Sequence, residues 1–558
     1  MTRSIAFFLL GSYALCAEGL AVGTDHACVL LDDASVRCFG QNSFGQLGQG
    51  DTNARGQSAA TMGDNLGPVN LGTGAVVVDM AAGSDHTCAV LDGGQVKCWG
   101  KNSHGQLGLG DTEHRGDGLS EMGENLPAVE LGANRTAVAV SAEGDRTCVI
   151  LDSGNVRCWG DGQFGALGSG DETDTGDGTT AVSAFVDLGG GGSPVTAIGE
   201  GPCAVFEDGS LKCWGKGFYG QNGQGTADSL GDDPDEMGQS LPKVPLGAGR
   251  KAHSVAGGRD YNCVVLQDGD LKCWGRGEGG QLGNEQIATI GDDPLEMGDA
   301  LEIVNLGTGE TAVQVSAGSQ HTCAVLHLGR VKCWGRGFFG NLGLESLNAR
   351  CVCVVGAGGE RTCAILDDGS LKCWGNNRGG QLGLGDVSPR GLEPSQMGDF
   401  LPAVSLGTNR TAVTLAMSAL PTAAPTSAPT PEPTQAKTAA PVAQTPAPST
   451  QAEAQVPSVS PVSPLTPSPV KPSPVAPSPA PTTQTALEST DRGVDSDDGV
   501  LGGMSTTVIV SIAAPVSVMM LLGCLFCAAA KRKRKDTPTE SAAAVAPEGG
   551  AGGQDFVV

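Results

Sequence analysis

Residues 88–100 read Cys88-Ala-Val-Leu-Asp-Gly-Gly-Gln-Val-Lys-Cys98-Trp99-Gly100, and Lys-Asn-Ser-His-Gly105-Gln-Leu-Gly108 follows at once. Apolar residues alternate on both sides of an Asp-Gly-Gly turn signal, which predicts a β-hairpin. The turn lies midway between Cys88 and Cys98, so the two cysteines face each other on paired strands. Residues opposed in this way lie about 4.5–5.5 Å apart at Cα, a distance a disulfide spans. The Trp-Gly and Gly-Gln-Leu-Gly segments then supply a tight, glycine-rich return.

The same line recurs seven times. The first cysteines are Cys28, Cys88, Cys148, Cys203, Cys263, Cys323 and Cys363. Their partners are Cys38, Cys98, Cys158, Cys213, Cys273, Cys333 and Cys373, always ten residues on. The units step by 60, 60, 55, 60, 60 and 40 residues. Zinc is a poor rival reading, because zinc ligands cluster at Cys-x2–4-Cys with further His or Cys partners. Each short bridged loop contributes about a few kcal/mol or less. Glycine makes up 87 of 558 residues without a Gly-X-Y period, so the excess belongs to turns and not to a collagen helix.

The residues Gly-x-x-His-Thr-Cys-Ala-Val-Leu, Asp-Gly-x-Val-Lys-Cys-Trp-Gly and Gly-Gln-Leu-Gly resemble the regulator of chromosome condensation repeat. That resemblance implies an all-β, seven-bladed β-propeller over 18–417. The family pattern does not require the cysteine pairs, which read as an oxidising-compartment variant of the hairpin. The first unit starts at Ala21-Val-Gly-Thr-Asp-His-Ala-Cys28 without the Ala-Val-x-Val strand that precedes other units. Arg410-Thr-Ala-Val-Thr-Leu-Ala-Met417 follows the last unit and reads as that missing strand, closing the ring. The sixth unit runs from Leu344-Glu-Ser-Leu straight to Cys351-Val-Cys353 and has lost about twenty residues against the fifth. Cys351 and Cys353 fall where the preceding repeat has Thr311 and Val313. They read as buried free thiols, as a link to another molecule or as the trace of a misassigned coding segment, the last two being favoured.

The two ends suggest a topology. Residues 1–17 have a short basic start, an apolar run from Ile5 to Cys16 and small residues after it, the pattern of a secretory signal peptide. Residues 418–504 form a stalk, with 18 prolines between 421 and 481 and neither Gly nor Cys there. Such a segment cannot bury a core and suits an O-glycosylated, extended spacer. A transmembrane helix is expected at 505–530, its uncharged core running from Val508 to Ala530, about 34 Å as a helix. Lys531-Arg-Lys-Arg-Lys535 marks the cytosolic side of a short tail, 531–558. The chain thus reads as a single-pass type I protein of the plasma membrane or another secretory-pathway membrane, in contact with the bilayer through 505–530.

The net charge is −27, and the tail carries +1, so the acidity belongs to the first 530 residues. A nucleic-acid partner is therefore not expected. Asn134-Arg-Thr136 and Asn409-Arg-Thr411 are glycosylation sequons at the same repeat register. Phe556 and Val558 close the chain as a PDZ-type terminus for a cytosolic adaptor. His26, His86 and His321 share the position two before the first cysteine, where other units place Arg146, Gly201, Tyr261 and Arg361; a metal ring needs consistent ligands, so this is a scaffold position. The acidic loops before Met62, Met122, Met237, Met297 and Met397 lack a calcium-loop order and read as solvated. No catalytic, cofactor or metal motif stands out, and no aromatic cluster marks a groove. The expected function is extracellular recognition of a protein or glycan by a non-enzymatic head. A luminal secretory-pathway factor, a structural coat and an inhibitor of an extracellular enzyme are the alternatives. Nucleotide exchange, the founding family activity, is disfavoured by the leader, the sequons and the charge.

Overall fold

The computed structural model describes residues 19–178, 185–189, 193–343 and 351–414. The expected leader, stalk, span and tail, with Phe556 and Val558, lie outside the described residues. Among those described, no helix is long and apolar enough to cross a membrane.

Seven three-stranded antiparallel sheets follow one another along the chain. Blade one is β1 Leu20–Val22, β2 His26–Leu30 and β3 Val36–Gly40. Blade two is β4 Val77–Ala82, β5 His86–Leu91 and β6 Val96–Gly100; blade three is β7 Ala137–Glu143, β8 Arg146–Leu151 and β9 Val156–Gly160. Blade four is β10 Val195–Ile198, β11 Cys203–Phe206 and β12 Leu211–Cys213; blade five is β13 Ala252–Gly258, β14 Tyr261–Leu266 and β15 Leu271–Gly275. Blade six is β16 Ala312–Ala317, β17 His321–Leu326 and β18 Val331–Gly335; blade seven is β19 Val352–Gly358, β20 Arg361–Leu366 and β21 Leu371–Gly375.

The expected hairpin joins the second and third strands of every blade. In blade two the Gly94 N–H donates to Leu91 O and the Leu91 N–H to Gln95 O, both at 2.8 Å. Gly94 holds φ at 78°, the left-handed conformation this turn needs. All seven expected cysteine pairs are directly opposed and bonded, with Cα atoms 4.1 Å apart.

The first strands form the hub. β1 packs on β4, β4 on β7, β7 on β10, and so on through β16 and β19, which returns to β1. Seven strands converging on one axis leave little room, so the hub is built from small residues such as Ala81, Ala142, Gly257, Ser316 and Gly356. A narrow channel of ≈190 Å³ runs between them.

Adjacent blades are fastened by buried polar contacts. The Trp99 indole donates to Gln46 O at 3.0 Å, Trp159 to Gln106 O at 2.9 Å and Trp274 to Gln221 O at 2.9 Å. Trp214, Trp334 and Trp374 reach back in the same way to Ala166 O, Gln281 O and Asn341 O. The shared position of His26, His86 and His321 is structural. Each Nε2 pairs with a threonine hydroxyl of the next blade, Thr87, Thr147 and Thr362, at 2.8, 2.8 and 3.0 Å. Tyr261 and Arg361 make the same reach, to His321 O and His26 O.

Ring closure departs from the expected single strand. Ala412 bridges Leu31, and the Val413 N–H donates to Leu30 O, supplying the outer half of the first strand of blade one. The inner half is β1, from the start of the domain. The other first strands carry a register shift at this point, for example between Val77 and Asp79. A ladder already interrupted there can be split between two chain ends with the least loss of pairing.

Two expectations follow. Val413→Pro deletes the bond to Leu30 O and should lower unfolding free energy by about 1–3 kcal/mol in chemical denaturation. Burial holds the imidazole pKa of His26 down at about 3 and those of His86 and His321 at about 4. The unfolded chain therefore takes up protons first, so this stability is present above pH 6.5 and lost as pH falls towards 4. The loss is about 2 kcal/mol per histidine by pH 5. His86→Gln should flatten the dependence of the denaturation midpoint on pH between 6.5 and 4.

Candidate functional site

The turns between first and second strands and the loops after the third strands meet at one mouth of the channel. The cavity there is ≈540 Å³ and is lined by Glu143, Asp145, Arg146, Lys216, Asp260 and Tyr261 among others. Three of its acids, Asp145, Glu200 and Asp260, share one repeat position, three before the first cysteine, which also holds Asp25, Asp85 and Glu360 around the mouth, with Gln320 in blade six. The loops of neighbouring blades answer them. Gln46, Gln106 and Gln381 donate amide protons to Asp85, Asp145 and Asp25 at 3.0, 2.9 and 3.1 Å. Lys101 pairs with Asp145 at 2.6 Å, Lys216 with Asp260 at 2.7 Å, and Arg276 with Asp260 at 3.5 Å. Burial raises the Asp85 carboxyl pKa; Lys101 opposes this and the neighbouring Asp145 and Asp25 add to it.

Aromatic side chains gather on the same loops, contrary to the sequence expectation. They stand five or six residues after the second cysteine, as Phe44, Phe164, Phe218, Tyr219, Phe338 and Phe339. Phe164 and Phe218 meet edge to face at 5.0 Å across two blades. Arg276 lies 4.9 Å over Tyr219, Arg336 4.1 Å over Phe338, and Arg378 5.0 Å over Phe339. Lys101 and Lys216 stand 5.9 and 5.8 Å over Phe44 and Phe218. Phe218 and Phe338 remain 53% and 62% exposed. The separation between these aromatics in sequence hid them; counting from the second cysteine of each unit brings them into line.

The same rim brings His104 of blade two against Asp161 and Asp174 of blade three, with one ligand-type atom from each within 4.8 Å of the others. His104 Nδ1 lies 2.8 Å from Asp174, and Asp174 and Asp161 accept the N–H groups of Gly162 and Gln163 at 3.0 Å. One imidazole and two carboxylates are the donor types of a divalent-cation site, and no sequence motif marks them, since they come from two separate repeats. In the channel, burial lifts the Asp79 carboxyl to about 7, against a 2.9 Å bond from the Val140 N–H.

Other sequence features fall elsewhere. Asn134 and Asn409 are exposed in left-handed turns, at φ 57° and 56°, where sister repeats place Gly74, Gly249 and Gly309. The acidic loops are partly internal caps. Glu121 accepts Gly116 N and Gly118 N at 2.9 and 2.8 Å, and Glu236 and Glu296 accept Gly231 N and Gly291 N at 2.8 Å. Cys351 and Cys353 hold the positions of Thr311 and Val313, since Val352 pairs with Leu366 as Ala312 pairs with Leu326.

Comparison with known proteins agrees with this architecture. The regulator of chromosome condensation (RCC1) repeat matches residues 19–46, 77–106, 137–166, 252–281, 312–341 and 352–381, and a second match covers 33–90. The ultraviolet-B receptor UVR8 of Arabidopsis thaliana is 32% identical over 332 residues, 58% of this chain and 67% of that protein. The human X-linked retinitis pigmentosa GTPase regulator is 27% identical over 330 residues, 59% of this chain but only 29% of that protein. The crystal structure of Kap60 bound to yeast RCC1 (Prp20) shares the fold, with 16% identity, a TM-score of 0.50, and coverage of 72% of this chain and 89% of that one. Seven cysteine-paired blades in a closed ring, together with these matches, place the chain in the RCC1-repeat family of β-propellers.

Proposed function

We propose that the head is a recognition module of an oxidising compartment, presenting the channel mouth and its rim to a protein or glycan partner. The observation that carries this reading is the line of part-exposed aromatic rings, five of the six set against a lysine or arginine on the same or the adjacent blade. Aromatic and arginine side chains dominate the energetics of binding surfaces. Here the hub holds them at fixed spacing, so little ordering cost falls on association. The seven bonded cysteine pairs fit an extracellular or luminal site. The proline-rich stalk and the apolar stretch at 505–530 fit a head carried away from a bilayer as a single-pass type I protein. The mouth carboxylates are tied to amides and cations of neighbouring loops, which suits recognition better than proton transfer. A relative named as a receptor is compatible with this reading.

The test is cross-linked capture by the oxidised full chain from intact cells and their surface extract. The double variant Phe218→Ala with Phe338→Ala should lower capture of a specific partner about tenfold or more. Phe400→Ala, still more exposed but away from the rim, should leave it unchanged. Equal capture by the rim variant, or no specific partner for a folded and bridged chain, would sink this reading.

A further inference from the structure

Among the described residues, blade six lacks a segment that every other blade has. Elsewhere an extended segment lies along the outer edge of the third strand. Its valine N–H donates to the strand's first carbonyl: Val69 to Val36, Val129 to Val96, Val186 to Val156, Val244 to Leu211, Val304 to Leu271 and Val404 to Leu371, at 2.8–3.0 Å. In five blades the segment reads Met-Gly-x-x-Leu-x-x-Val-x-Leu, as in Met297-Gly-Asp-Ala-Leu301-Glu-Ile-Val304-Asn-Leu306. Its methionine and first leucine pack on the tryptophan, or on Phe39, of their own blade. The carbonyl after the methionine receives that blade's buried lysine or arginine, as Gly123 O receives Lys97 at 2.8 Å and Gly298 O receives Lys272 at 3.1 Å.

Among the described residues no such segment donates to Val331 O. Val331, Cys333 and Trp334 on β18 are half-buried and Lys332 is exposed, whereas the other five tryptophans are at most 2% exposed. Lys332 keeps its bond to Leu306 O, at 2.6 Å, and the described residues offer no equivalent of Gly298 O. A groove of ≈600 Å³ remains, with Val331 and Trp334 on one wall and Trp374 and Met397 on the other.

We propose that this groove receives an extended segment of a partner protein with the pattern Met-Gly-x-x-Leu-x-x-Val-x-Leu, added as the missing fourth strand of blade six. The sister blades specify the fit. The valine N–H meets Val331 O, the glycine carbonyl meets the Lys332 ammonium, and the methionine and first leucine cover Trp334. Main-chain pairing supplies adhesion and the alternate side chains supply selectivity. A second copy of this chain is a poor donor, because its own matching segments are each engaged in their blades. The site is separate from the mouth and its rim and does not depend on their role.

The experiment uses the full chain in detergent micelles and a synthetic peptide of the sequence 297–306. Trp334 is the tryptophan open to solvent, so docking should shift its emission to the blue, saturably. Trp334→Phe should abolish the shift; the fold tolerates phenylalanine there, since Phe39 fills the same position in blade one. N-methylation of the peptide's valine removes the donor to Val331 O and should weaken binding at least about tenfold. An unshifted spectrum at saturating peptide overturns the proposal. So does equal binding of the N-methylated peptide, or a Trp334 already shielded in the free chain by another segment of this protein.

Discussion

At six of the seven seams a single backbone carbonyl of the glycine-rich loop holds one blade to the next. Gln46 O accepts both the Trp99 indole and the Thr87 hydroxyl of the following blade, at 3.0 and 3.1 Å. Gln106 O and Gln281 O do the same for Trp159 with Thr147 and for Trp334 with Thr322, while Gln221 O serves Trp274 with Asn262. An orphaned donor or acceptor at such a buried place costs about 1–3 kcal/mol, so the loop must stay where the indole can find it. Its glycines allow this. Gly45 and Gly48 hold φ at 79° and 64° and bring the loop backbone against the next blade. A three-stranded sheet with two apolar faces cannot stand alone, and these clasps make its neighbours part of its core.

The seam between blades seven and one lacks the clasp. Phe39 stands in place of the tryptophan and Ala27 in place of the threonine. Other chemistry holds this seam. Arg361 reaches Gly23 O and His26 O, Asp64 accepts both the N–H and the hydroxyl of Thr408, and Ala412 pairs with Leu31. The chain ends therefore sit where the repeated interaction is replaced. Blade six shows the converse. It keeps its clasps on both sides, through Gln281 O and Asn341 O, yet no described residue covers its outer edge. The inner part of a blade carries the ring, and the outer segment is the removable part.

The repeat, the hairpins and the seven bridges were legible because each rests on local spacing. The split strand of blade one was half legible. Arg410 to Met417 carried the apolar pattern, but the register shift that divides the strand between Val413 and Leu20 has no sequence mark. The mouth was not legible from the linear order. Phe164 and Phe218 are 54 residues apart and meet only because one repeat register places both on the same rim. His104 with Asp161 and Asp174 is hidden for the same reason. The histidines before the first cysteines were read as scaffold, and their bonds to Thr87, Thr147 and Thr362 give that reading its physical content. The acidic loops were read as solvated, yet Glu121, Glu236 and Glu296 turn inward, because two free backbone amides outweigh exposure to water.

The charge distribution bears on what the mouth can recognise. The chain is strongly acidic, and six carboxylates occupy one register around the channel entrance, yet lysines and arginines stand just outside them on the aromatic loops. A partner that is simply basic would meet those cations before it met the acids. A simply acidic one would meet a surface whose long-range field repels it. Exposed ion pairs add little affinity by themselves, so attraction must come from the rings, and the charges act by penalising partners whose pattern does not match. Under the proposed recognition role, a ligand with an apolar or sugar-like face bordered by hydrogen-bonding groups satisfies both conditions. It covers Phe218 and Phe338 while leaving Lys216 with Asp260 and Arg276 with Glu278 undisturbed. On that reading, selectivity would rest on which blades carry an aromatic at the rim and which carry glycine, as Gly279 and Gly379 do.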